Sequence, residues 1–128
     1  MTPIVPVSWG ELLDKISILE IKRQRLLAPE AVANTERELA ALAPALVPLE
    51  TGPSGLVELR AALAAVNLRL WVIEDRIREK DGQLDFGPGF VALARSVYRE
   101  NDERGRIKRA INTLLGSGLI EEKQYNSY

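Results

Sequence analysis

The 128-residue chain contains no histidine and no cysteine. Without imidazole or thiolate it can build neither the usual nitrogen–sulfur zinc site nor a Ser-His triad, and it has no imidazole for acid–base work. Disulfides are excluded, so cysteine usage says nothing about redox compartment. A dominant charge sign is missing too: 17 Lys and Arg against 18 Asp and Glu leave a net charge of −1. That gives no bulk attraction toward nucleic acid or an anionic membrane. Long apolar runs are also absent. The most apolar internal segment, "LAALAPALVPL", is too short to span a bilayer and is broken by Pro44 and Pro48. The opening "MTPIVPVSWG" has no basic n-region, and Pro3 and Pro6 interrupt its apolar stretch. These absences predict a soluble cytoplasmic protein with neither a membrane nor a nucleic-acid partner. Any metal or hydrolytic chemistry must rest on carboxylates, amides, hydroxyls and cations.

What is present is helical patterning, and the length suits one domain over residues 1–128. Ser8 and Glu11 have the spacing of a capping box, opening a helix that runs to about Leu27. Leu12, Ile16, Leu19 and Leu26 form its apolar stripe, which places Glu11 and Asp14 on the solvent side. A second, alanine-rich helix covers Glu30 to Ala43 and ends at Pro44. The 44–54 connector reads as a loop. Leu56, Leu59, Leu63, Val66, Leu70, Ile73 and Ile77 alternate steps of three and four, a coiled-coil-like seam on a helix over 55–80. A Gly/Pro turn follows, then a long helix from Pro88 to Leu115 stopped by "GSG". The 117–128 tail fits either a docked short helix or a frayed end. The pattern predicts an all-α antiparallel bundle of about four helices, the third and fourth being long.

Polar groups interrupt the inward faces. On the fourth helix Asn101, Arg104 and Lys108 fall close to the centre of the side carrying Phe90, Leu93, Val97, Ile107, Ile111 and Leu115. On the first, Arg23 lies near mid-stripe and Glu20 at its margin. On the third, Asn67 and Glu74 flank the seam, with Trp71 and Arg78 beyond. Rise along each helix puts Glu20, Arg23, Asn67, Asn101 and Arg104 at one level, with Trp71, Glu74 and Tyr98 above it. Such a layer is either a structural network that fixes helix register or a pocket for a small anionic ligand. Catalysis is a third reading, resting on Glu20 and Glu74 as the placed proton carriers. The residues leave open whether the protein is an enzyme. They call for no cofactor unless that third reading holds. Asp75, Asp102 and Glu103 rotate outward. Ile18 and Ile21 also point outward on the first helix, and that second apolar edge predicts a homodimer contact.

"VPVSWGELLDKISILEIK", "LWVIEDRIR", "ARSVYRENDERGRIKRAIN" and "EEKQY" resemble a family of short bacterial proteins catalogued as a domain of unknown function. The resemblance spans nearly the whole chain and implies an all-helical protein without an assigned activity. A looser similarity, to the all-α nucleoside triphosphate pyrophosphatases, implies magnesium held by carboxylates paired along two helices, with Glu74 and Asp75 opening one pair. The chain departs from that pattern: Ile77 and Arg78 stand where the next carboxylate belongs, and Gly105 and Arg106 follow Asp102 and Glu103. "LLDKISILEIKRQR" is similar in a generic way to the helical chorismate mutases, whose bundle interior is lined by Arg, Lys and Glu. Two functions are therefore expected: a non-enzymatic binding or scaffold protein, or a magnesium-dependent nucleotide phosphohydrolase.

Overall fold

Local chemistry sets the helix ends in the structure, a computed structural model that describes residues 1–127. Helix α1 (Trp9–Arg25) begins at Ser8, whose hydroxyl accepts the Glu11 backbone N–H at 3.1 Å. That is half of a capping box, because the Glu11 carboxylate reaches across to Lys108 instead, at 2.8 Å. Helix α2 (Pro29–Leu42) has proline in its first turn, where a missing N–H costs nothing. The connector starts as a 3₁₀ segment, Ala43–Leu49, rather than a loop, and Leu46 and Leu49 pack on the core. Helices α3 (Leu56–Gly82) and α4 (Pro88–Leu115) are the long pair, 27 and 28 residues. Gly116 closes α4 in the left-handed conformation, φ 67°, and the Ser117 N–H then bonds the Asn112 carbonyl at 2.9 Å.

These four α-helices, with no strand among the described residues, make the chain all-α. Helices α3 and α4 form an antiparallel hairpin in which Arg69 pairs with Glu100 and Gly89 comes beside Lys80. Helix α1 packs on the open end of that hairpin, running against α4, with Gly10 beside Asn112 and Asp14 beside Arg104. Leu13, Leu56, Leu63, Val66, Ile107 and Ile111 form the core there. Burying side chains of this kind stabilises by roughly 1.5–3 kcal/mol each.

Helix α2 packs on α1 and the 3₁₀ segment and makes no packing contact with α3 or α4. Helix α1 is thus sandwiched, and Leu12, Ile16, Leu19 and Ile21 are buried along with Leu13. From Leu68 to Arg106, by contrast, no residue is buried. The bundle is solid at one end and reduces to a bare two-helix hairpin at the other. No helix among the described residues is long and apolar enough to cross a membrane.

Candidate functional site

The centre of the polar layer is Asp14, 1 % exposed. It lies on α1 in the run Gly10, Asp14, Ser17, Ile21, spaced four, three and four, which are all buried against neighbouring helices. Its carboxylate accepts Arg104 Nε at 2.9 Å on Oδ1 and Arg104 Nη2 on Oδ2, a forked pair. Asn67 Nδ2 donates to the same Oδ1 at 2.9 Å and to Ser17 Oγ at 3.3 Å. Lys108 Nζ lies 3.9 Å from Oδ2.

Lys108 carries the layer toward the chain ends. Its ammonium, itself buried, donates to Glu11 and to Glu121, each at 2.8 Å. Burial is the largest single influence and works to lower the Lys108 pKa, but the hydrogen bonds to Glu11 and Glu121 together with the charges of Asp14 and Glu11 outweigh it and the net shift is upward. The hydrogen bonds to Asp14 likewise hold Arg104 above its ordinary range, against the cost of burial. Three carboxylates, Glu11, Asp14 and Glu121, answer these two cations. Among the described residues no buried side-chain nitrogen or oxygen lacks a partner.

The tail is docked and extended, so neither sequence alternative describes it. After Gly116 it turns back along α4, where Glu122 grips Arg109 at 2.8 and 3.1 Å and the Lys123 ammonium passes Gly105. Its last residue, Tyr128, lies outside the described residues. Ser117 and Asn112 close the opposite helix end: Ser117 Oγ accepts the Trp9 N–H at 3.0 Å, and Asn112 Oδ1 accepts that of Gly10 at 2.7 Å. The first amides of α1, orphaned in an isolated helix, are thus satisfied by the C-terminus of α4.

Of the nine residues predicted for the site, Asn67, Trp71, Glu74, Asn101 and Arg104 come together around one groove of about 550 Å³, bordered also by Ile18. Lys108 belongs to the same layer, one turn along α4 from Arg104. The other three do not belong. Glu20 and Arg23 are exposed on α1, Glu20 over a separate shallow groove with Ser17 and Arg60. Tyr98 faces a groove shared with the tail residues Lys123 and Tyr125. Asn101 is peripheral, half-buried with a 3.4 Å contact from Arg104. Glu74 is held by Arg78 at 2.6 Å.

The misplacements share one cause. A single apolar stripe implies one buried face, whereas α1 has helices on several sides. Asp14 and Ile21, read as outward, are therefore inside, Ile21 at 8 % exposure, and Ile18 is half-buried beside the Trp71 groove, so Ile18 and Ile21 do not form one outward edge. The 4-3-4 spacing of Gly10, Asp14, Ser17 and Ile21 is the sequence signal that marks this second face. Among the described residues no three acidic side chains converge to hold a metal ion. No protein-family model, curated protein or solved structure matches the chain.

Proposed function

We propose that the protein is a non-enzymatic binding or scaffold module whose polar layer sets helix register and anchors the tail. One observation carries this reading: the buried Asp14 carboxylate is fully engaged by Arg104 and Asn67, inside a layer whose cations already face carboxylates. A group that must exchange protons or receive an anion needs unused bonding capacity, and this layer has spent its own. Glu20 and Glu74, the carboxylates a phosphohydrolase would use, border different grooves.

The discriminating experiment is a nucleotide panel assayed for phosphate or pyrophosphate release with magnesium, alongside Glu74→Gln. The expected result is no release above blank in either protein. Magnesium-dependent turnover that disappears in Glu74→Gln would overturn the reading. Denaturant unfolding supplies the structural arm: Asn67→Leu should lose about 1–3 kcal/mol by taking one hydrogen bond from the buried Asp14 carboxylate and one from Ser17, while Asn101→Leu stays within about 0.5 kcal/mol of wild type.

A further inference from the structure

The seam between α3 and α4 continues past the point where the core ends. Leu70, Ile73, Ile77, Phe90, Leu93 and Val97 keep its apolar period to the turn, yet each is half-buried. Two helices cover only one side of each other's apolar stripe, and a long hairpin without a third wall is a marginal structure in water. Helix α1 supplies that wall as far as Ile18, at the edge of the Trp71 groove, and the tail borders Val97 and Tyr98. Beyond it the hairpin ends in an apolar tip: Leu84, Phe86 and Val91 are 78, 53 and 51 % exposed. Phe86 stands edge-on to Phe90 with ring centroids 5.2 Å apart.

We infer that this distal hairpin docks against the distal hairpin of a second copy of the chain, about a two-fold axis, closing a four-helix bundle. Charge selects the occupant. Residues 68–106 carry eight basic and eight acidic side chains, interleaved in sequence. A polyanion or an anionic lipid surface finds no field there, whereas a second copy meets both signs without net repulsion. Length selects the geometry. From Asn67 to the turn at Gln83, α3 rises about 24 Å. An antiparallel overlap of that length brings the Phe86 tip of one copy level with the Trp71–Ile18 groove of the other. Tip and groove belong to the same chain, so the contact is made twice and the assembly closes as a dimer. This interface deepens the scaffold reading and rests on it for its purpose.

The test is sedimentation equilibrium of the full chain at tens of micromolar. The expected mass is twice the 14.2 kDa of one chain. A Phe86→Ser, Val91→Asp double variant, changed at exposed positions, should sediment at half the wild-type mass with its far-ultraviolet helix signal intact. A wild type that sediments as a monomer overturns the proposal, as does a dimer that survives the double variant. Orientation has its own readout, since the chain has no cysteine and Gln83→Cys takes a single spin label. The antiparallel dimer predicts roughly 25 Å between labels; labels in contact would mean tips meeting tips and would overturn the geometry. A monomeric result leaves the phosphate-release assay untouched, so failure of the interface and failure of the scaffold reading remain distinguishable.

Discussion

Asp14 and Arg104 stand ninety positions apart in the chain and meet as a forked ion pair, with the carboxylate 1 % exposed. Asn67 from the third helix donates to the same carboxylate, so one buried group ties α1, α3 and α4 at a single level. Removing a carboxylate from such a pair leaves a partly buried guanidinium with only its long contact to Asn101, and the Asn67 amide with only the Ser17 hydroxyl. Asp14→Ala should therefore destabilise the fold by about 3 kcal/mol in urea titration. An unchanged unfolding midpoint would mean that Arg104 finds water as readily as it finds Asp14.

Gly10 sets α1 directly against the α4 backbone. A β-carbon there would lie 2.5 Å from the Lys108 carbonyl oxygen and 2.9 Å from Asn112 Oδ1. The first obstacle is backbone, which cannot swing aside. Alanine improves helix propensity, but at this position the clash governs the outcome. Gly10→Ala should lower stability by about 1–3 kcal/mol, read as a fall in Tm. A rise in Tm would show that the two helices separate at little cost.

The docked tail should be sensitive to acid. The hydrogen bond from Lys108 pulls Glu121 below the ordinary carboxylate range, and that from Arg109 does the same to Glu122. Both carboxylates therefore bind protons less readily docked than free. The stabilisation they give docking is present above the ordinary carboxylate range and is lost as the pH falls through their lowered values. Amide NMR should show residues 119–127 moving to unstructured positions as the pH drops below about 4. Tail signals that stay docked until the helices themselves unfold would refute a charge-held tail.

The elements were legible because their signals are local. Ser8, Pro29, Pro88 and Gly116 mark helix ends through hydrogen bonding and allowed backbone angles, which depend on near neighbours alone. Asn67, Arg104 and Lys108 were legible as inward polar groups for a similar reason: α3 and α4 each show a clear face. Asp14 was not. Its helix has two apolar edges, and the choice between them depends on α2 lying on one side and the hairpin on the other. Height along the bundle failed likewise. The level of Asn67 is met at Asp14 and Ser17 rather than at Glu20, because the crossing point of α1 is fixed by the Gly10 contact with α4.

By itself the sequence determined the helices, their order, the long hairpin and the exclusion of histidine and cysteine chemistry, all of which follow from residue type and spacing. Tertiary structure decided which carboxylate is buried, how the tail returns to Lys108 and Arg109, and where the core stops. Those outcomes depend on contacts between positions far apart in the chain. The free energy of burying a charge is set by what surrounds it, and for Asp14 those surroundings come from residues 67 and 104.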